Sequence, residues 1–308
     1  MTAGLKGLGS RAIIGAFNKR LQEVTERSWV SRLALMMPSN QETESYDFLS
    51  DAPAMEEWAS NRKKQGLRNF EFSVKNKKFS AGLEIDEDDW RRDKTGQIMI
   101  RVNELAARAA QLPAKILSAL LVANSNAYDG AAMFHASSHV NLNGDTINNA
   151  LQVTAATGTT PTNAEMETGI LTGIESILGF KDDSGEPRNE DAQSFTLMVP
   201  PNMWKQAKAA LKNDYSSSGV SNTLRATEFT ITPVMNARLP TSSAYMYLFR
   251  DDSDVKALLW QDEVATIMAA LTEGSDYHTL NDARLYFVKR VGNGGFGRYD
   301  QAVRVEFT

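Results

Sequence analysis

The sequence predicts an α+β fold, and three stretches carry that prediction. Two alternating segments, Arg68–Lys75 and Phe79–Ile85, read as β-strands and are followed by a long helical pattern from Gln97 to Ala123. Between Phe195 and Trp260 a buried strand, a helix start and further strands form a compact mixed module. Near the C-terminus, Arg284–Val291 and Gln301–Phe307 read as two strands flanking a glycine-rich turn, Gly292–Gly297.

Composition bounds the function classes. The chain has 308 residues, 42% hydrophobic and 23% charged, which suits a globular protein with a sizeable core. A net charge of −5 argues against a dedicated nucleic-acid binder, which carries a basic excess. The absence of cysteine excludes disulfides, thiolate metal sites and cysteine nucleophiles. Neither an apolar leader core nor a run of 18 apolar residues occurs, so a soluble protein made in the cytoplasm, with no membrane partner, is the expectation.

Taken in order, residues 1–9 are small and glycine-rich and read as a flexible tail. Ser10 can cap a helix whose apolar positions Ile13, Phe17, Leu21 and Val24 share one face. That face packs either on the chain's own core or on another subunit. The run from Met36 to Asn40 reads as an extended segment lying across something, ending at the Asp51-Ala52-Pro53 turn; a short helix Ala54–Ala59 with Trp58 and a basic link, Arg62-Lys63-Lys64, follow.

The two alternating segments are read as a hairpin about the turn Asn76-Lys77-Lys78. Phe70, Phe72 and Val74 line one side of the first, and Phe79, Ala81, Leu83 and Ile85 line the second. A free two-stranded hairpin is marginal in water, so its apolar face needs a cover, internal or from a neighbour. Lys75, Lys77 and Lys78 at its tip are either a solvated turn or a contact to an acidic patch of an adjacent subunit. The helix beyond repeats Val102, Leu105, Ala109, Leu112, Ile116 and Leu120, and its alanines allow close approach. Pro113 in its middle should kink or split it.

After Asn124 a loop-like stretch carries Tyr128 to His139, and Thr154–Thr162 reads as a linker. Thr162 or Asn163 then caps a helix with Met166, Ile170, Ile174 and Leu178 on one face. A strand at Phe195–Val199, a helix Met203–Leu211, an exposed loop Asp214–Gly219 and strands Glu228–Met235, Ala244–Phe249 and Val255–Trp260 complete the middle module.

Nothing in the chain forms a credible catalytic set, and no cofactor is expected. His135 and His139 are four apart with Asp129 nearby, which admits a metal-dependent hydrolase as the alternative from another class, although no HExxH pattern is present. Glu87-Asp88-Asp89 and Asp251-Asp252-Ser253-Asp254 lack the order of a calcium loop and read as solvated turns. The Gly292–Gly297 run breaks dinucleotide spacing and does not lie between a strand and a helix.

The stretch FEFSVKNKKFSAGLEIDEDD, from Phe70 to Asp89, resembles the corresponding part of the major head (capsid) subunits of Mu-like phages and prophages. The Tyr128-Asp129-Gly130, Phe134 and His139 segment and the terminal strands with their glycine turn are also similar, so the likeness runs in order from about Trp29 to the end. The resemblance implies an HK97-type capsid fold. Residues 1–66 would be the N-terminal arm and 67–95 the extended E-loop. Residues 96–160 would form the peripheral domain with its spine helix, 161–262 the axial domain and 263–308 the returning peripheral strands. It implies a structural protein, not an enzyme, tiling as hexamers and pentamers of an icosahedral head around double-stranded DNA bound without sequence specificity. A separate scaffolding protein, a portal and a maturation protease are the further partners it implies, with assembly in the bacterial cytoplasm. Phe70, Phe72, Val74, Lys75, Lys77, Lys78 and Phe79 of the E-loop, and Asp214, Tyr215 and Ser216 of the axial loop, are then the expected inter-subunit contacts. An encapsulin-like nanocompartment shell shares the same fold and is the nearest alternative.

Overall fold

The computed structural model describes residues 3–49, 69–93, 96–141, 143–213, 222, 224 and 227–308. The chain opens with helix α1 (Ala3–Glu26), which begins before Ser10 and runs through the glycines expected to form a tail. Its Ile13 and Phe17 are buried. A turn of helix, α2 (Val30–Leu33), leads into strand β1 (Ala34–Pro38), the extended segment expected there, and β2 (Thr43–Leu49) follows. The Asp51-Ala52-Pro53 turn, the Ala54–Ala59 helix and the Arg62-Lys63-Lys64 link lie outside the described residues. Beyond them come β3 (Asn69–Lys75), β4 (Lys77–Asp86) and a short helix α3 (Glu87–Arg92) capped by the Asp86 carboxylate.

The long helical pattern is two helices, α4 (Gln97–Ala110) and α5 (Leu112–Ala123), bent by 41°. Pro113 sits in the first turn of α5, where its missing N–H costs nothing, so it starts a helix as well as ending one. Val102, Ala106 and Ala110 on α4 and Leu117 and Leu121 on α5 are buried. Among the described residues no single helix is long and apolar enough to cross a membrane. Asn124, in the left-handed conformation, closes α5; its side chain accepts from the Phe134 N–H and donates to the Phe134 carbonyl, tying down the following loop.

Short strands β5 (His139–Val140), β6 (Thr146–Ile147) and β7 (Ala150–Val153) precede helix α6 (Asn163–Gly179). Thr162 and Glu165 form a capping box at its start, and Met166, Ile170 and Ile174 are buried on the face expected. Strand β8 (Ser194–Val199), helix α7 (Trp204–Lys212) and strand β9 (Thr230–Met235) make a parallel crossover. Then come β10 (Tyr245–Arg250), β11 (Leu258–Leu271), a tip helix α8 (Asp276–Asn281), β12 (Ala283–Phe296) and β13 (Ala302–Phe307).

These strands build two main sheets. A five-stranded sheet in the order β7-β13-β10-β8-β9 carries α6 and α7 and the larger apolar core, which α5 joins from its seat on β12, with Phe195, Leu197, Leu248, Val303 and Val305 fully enclosed. A four-stranded sheet in the order β1-β11-β12-β4 extends away as an arm. Its second core lies on one face, where Ile85, Tyr286 and Val288 meet Ile13 and Phe17 of α1 and Val102 and Ala106 of α4. The two C-terminal strands, expected as one pair, part company: β12 belongs to the arm and β13 to the five-stranded sheet. The glycine run between them is no turn. Gly292–Gly295 continue β12 as regular strand, because α5 and β3 press on the strand from close range and leave no room for a Cβ: one on Gly294 would lie 2.7 Å from Leu117. The expected boundary at 262 falls inside β11, which runs unbroken from the core out along the arm.

Candidate assembly surface

The hairpin expected at residues 68–85 is not formed. β3 pairs antiparallel with β2, from Thr43 opposite Lys75 to Leu49 opposite Asn69, whereas β4 pairs with β12 in the arm. Asn76, the single residue between them, is a buried corner and not a tip. Its N–H donates to the Glu42 carbonyl at 2.8 Å, and its side-chain amide donates to the Gln41 carbonyl at 2.7 Å and to Ser39 Oγ at 3.0 Å. These three bonds hold the corner at which the chain changes partner strand, while the Asn76 Oδ1 is buried without a partner.

The root of the β2–β3 ribbon is covered by its own chain. A Cβ on Gly295 would come within 3.0 Å of the Phe72 ring and 3.2 Å of Val74, so both side chains rest directly on the β12 backbone. Val74 is thereby buried in the single chain, and Phe72 half-buried, which removes Val74 from the expected inter-subunit contacts. Tyr46 donates to Gln261 Oε1 at 2.7 Å, and the Gln261 amide donates to the Val74 carbonyl at 3.3 Å. Burial, with Glu44 nearby, pushes the Tyr46 hydroxyl up to about 12, so it remains a donor. Lys75 pairs with Glu42 at 3.1 Å on the surface, while Lys77 and Lys78 are exposed at the start of β4. Phe79 is half-buried beside α4 and α5. The Phe70 side chain, and Asp214, Tyr215 and Ser216, lie outside the described residues.

Two arginine clamps fix the arm, and the sequence reading missed both. Arg284 on β12 makes a bidentate pair with Glu87, at 2.7 and 3.0 Å, and lies over the Trp90 ring at 4.5 Å. His278 of the tip helix also reaches Glu87, at 3.3 Å. The Arg284 hydrogen bond, opposed by burial and helped by His278, holds the Glu87 carboxyl at about 2. Glu87 is therefore an anchor and not the solvated turn expected. Six residues along the same strand face, Arg290 pairs with Asp262 at 2.8 and 2.6 Å and lies over Trp260 at 4.9 Å. A guanidinium satisfies a carboxylate with two parallel bonds while its flat face stacks on an indole, which a lysine cannot do. Isolated charged residues in a strand give no sign in sequence of which carboxylate will face them.

The residues weighed for chemistry are structural. His139 is fully buried and stacked on Tyr299 at 4.0 Å. Its Nδ1 lies 2.6 Å from the Asp129 carboxylate and its Nε2 3.1 Å from the Met133 carbonyl, so both ring nitrogens are engaged by partners within the chain. His135 is turned elsewhere, its Nδ1 accepting from the N–H groups of Ser137 and Ser138. Asp251 accepts from the Thr196 hydroxyl and Asp252 from Arg250 and the Gln193 N–H. Burial works to raise the fully enclosed Asp300, yet Arg298 and Arg188 beside it keep it below the ordinary carboxylate range. Among the described residues no group of three or more acidic or histidine side chains is placed to hold a metal ion.

Apolar side chains are exposed at Val122, Val140, Met235 and Val255 around the larger core and also on the arm. Ile267 and Leu271 of β11 are 50% and 36% exposed, and Leu280 on the tip helix is 83% exposed. The fold that carries this arm, with its partly buried ion pairs and exposed apolar side chains, is that of the HK97-type capsid subunit. All of this chain aligns with 77% of the subunit in the procapsid of bacteriophage JBD30, at a TM-score of 0.57 and 18% identity. The subunit of the virus-like particle from Pyrococcus furiosus is similar over 96% of this chain and 98% of its own, at a TM-score of 0.56 and 9% identity. In sequence, residues 10–164, half of the chain, match the family of the Mu-like prophage major head subunit gpT, and the chain belongs to that family. The Mu-like prophage FluMu major head subunit of Haemophilus influenzae is 26% identical over 142 residues, 45% of this chain and 46% of the relative. The major capsid protein of Escherichia phage Mu is 26% identical over 128 residues, 40% and 42% of the two chains. The chain thus matches about half the length, or less, of these curated relatives.

Proposed function

We propose that this chain is the major shell subunit of a tailed-phage or Mu-like prophage head, assembling as hexamers and pentamers around double-stranded DNA. The observation that carries the reading is the arm: Ile267 along β11, and Leu271 and Leu280 near its tip, are exposed among the described residues, and an assembly would cover them. Burying such side chains stabilises by roughly 25 cal/mol per Å² at each contact, and repetition over a shell turns weak contacts into a stable particle. In this reading the four-stranded arm with α1, α4 and α5 is the peripheral part and the five-stranded sheet the axial part, so that residues 302–308 go with the axial sheet. Of residues 1–66, the expected arm, α1 stays on this chain's own second core and the remainder reaches neighbours, while 67–95 serve as the E-loop. Phe70, Phe72, Lys75, Lys77, Lys78 and Phe79, with Asp214, Tyr215 and Ser216 around the capsomer axis, contact adjacent copies.

The protein acts as a building block without catalysis, as a component of the virion built in the host cytoplasm. A separate scaffolding protein, a portal and a maturation protease complete the head. The net charge of −5 suits a wall that contains DNA without gripping it, since each cation–phosphate contact adds a salt-sensitive increment. A nanocompartment shell shares the fold, but the sequence match is to phage head subunits and does not favour it. Electron microscopy and sedimentation of the purified protein, alone and with its scaffold, test the proposal. Particles with icosahedral symmetry are expected, and material that stays monomeric under both conditions overturns it.

A further inference from the structure

β4 is an edge strand of the arm: β12 pairs with one side, and among the described residues nothing pairs with the other. Ten residues of regular strand with an unpaired side present a row of N–H and C=O groups ready for another chain. Two hollows follow one another along this strand, between the sheet and its helices, and together form a groove walled by α3 and α4 at one end and by α4 and α5 at the other. One half lies between Leu83, Ile85 and Ile98, with a cavity of about 400 Å³, and the other between Phe79, Leu105 and Leu112, with about 370 Å³. The stretch from Phe79 to Asp86 spans roughly 27 Å at ~3.4 Å per residue, room for an extended segment of similar length.

The walls are charged asymmetrically. Arg101, Arg108 and Lys115 stand seven residues apart on the helical wall, one stripe of cations along the groove. Arg101 is held by Glu104 at 2.9 Å, whereas Arg108 and Lys115 are exposed and have no ion-pair partner among the described residues. Lys77, also exposed, shares the strand face of Phe79 and extends the basic end. At the opposite end Glu84, Asp86, Asp89 and Asp93 prevail. Deep in the basic half the Thr266 hydroxyl is buried and has no hydrogen-bond partner. A buried hydroxyl left unpaired is costly, and a polar group entering from outside relieves it.

We infer that the basic half of this groove, along Phe79–Gly82, binds an extended acidic segment of a different protein, which pairs through its main chain with the free edge of β4. Its carboxylates face Arg108 and Lys115, an apolar side chain enters between Phe79, Leu105 and Leu112, and the acidic far end of the groove fixes which way its charges lie. This site does not rest on the shell proposal, since a monomer presents it equally.

The test uses the protein and a fluorescein-labelled octapeptide, Ser-Glu-Ser-Val-Ser-Glu-Ser-Val, whose glutamates and valines share one face of an extended strand, followed by fluorescence anisotropy. Saturable binding is expected, weakened about tenfold by the double variant Arg108→Glu/Lys115→Glu. A peptide N-methylated at alternate amides should fail to bind, because it can no longer extend the sheet. Both substitutions are at exposed positions, and circular dichroism checks that the variant is folded. Absence of saturable binding overturns the inference, as does binding indifferent to charge reversal or to N-methylation. If charge reversal abolishes particle assembly while leaving peptide affinity unchanged, the groove belongs to a second copy of this chain and the inference is likewise wrong.

Discussion

Replacing Glu87 by glutamine probes the clamp at the root of the arm with little change of shape. Glu87 is held at about 2 against an ordinary 4.5, because Arg284 donates two hydrogen bonds to it and His278 adds a third. A shift of that size is worth about 3 kcal/mol for a fully shielded carboxylate. The Glu87 side chain is 17% exposed, so solvent screening lowers the expected value to about 2 kcal/mol. The folded-state value is depressed, so this stabilisation is fully present above the unfolded value of 4.5 and drains away as pH falls towards 2. Urea unfolding should be followed at concentrations where sedimentation shows monomer, because assembly would add its own stabilisation. At pH 7 Glu87→Gln should lose about 2 kcal/mol, with Arg284, 1% exposed, left facing a neutral amide. Near pH 2 wild type and variant should converge. A difference at pH 7 below about 0.5 kcal/mol, the range of ordinary surface substitutions, would refute the clamp. So would a difference of equal size at pH 7 and pH 2.

Three further outcomes are expected. Arg290→Lys keeps the charge but loses the bidentate geometry on Asp262 and the stacking on Trp260, and should cost about 1–2 kcal/mol in the same urea titration. Gly295→Val pushes a side chain into the Phe72 and Val74 seats; it should destabilise by about 1–3 kcal/mol and raise amide exchange along β3 before the five-stranded sheet opens. His139→Ala removes a hydrogen-bond partner of the Asp129 carboxylate and opens a void against Tyr299, so thermal unfolding should report a loss of about 2–4 kcal/mol; an unchanged melting temperature contradicts the structural role assigned to this histidine.

Elements with a period of their own were legible in the sequence. The helices α4, α5 and α6, the Pro113 break and the Thr162 cap follow from local sterics and side-chain spacing, although on α4 and α5 the most buried line, Ala106, Ala110, Leu117 and Leu121, lies one residue on from the expected Leu105, Ala109, Ile116 and Leu120. Pairing was not legible. The alternation of Phe70, Phe72 and Val74 fixes a strand and its buried face, but β3 and β4 carry the same kind of alternation whether they pair with each other or with β2 and β12. Two strands joined through one residue cannot form a two-residue hairpin turn, so Asn76 decided the matter; as one of three polar residues in a row it looked like the middle of a turn. The glycine run misled for a related reason. Gly294 and Gly295 serve close approach from α5 on one side and β3 on the other, and both partners are more than 150 residues away in sequence.

The corrected pairing changes which part of the chain gives the arm its direction. A projecting hairpin tied only at its base would be free to swing. Here β4 is bonded along its length to β12, and β12 is clamped on one face at Arg284 and again at Arg290, each guanidinium held by a carboxylate and an indole. Partly buried ion pairs of this kind add little net stability over well-packed apolar residues, because desolvation offsets most of the attraction. What they do supply is a preferred geometry, since bidentate pairing tolerates few orientations. In the shell proposed above, where Ile267, Leu271 and Leu280 would be presented at a set angle in every copy, defined direction matters more than an extra kilocalorie. The same reasoning separates the two kinds of substitution: loosening a clamp should give particles of mixed size even where the monomer stays folded, whereas opening the Gly295 seat should lower the yield of folded chain before any particle forms.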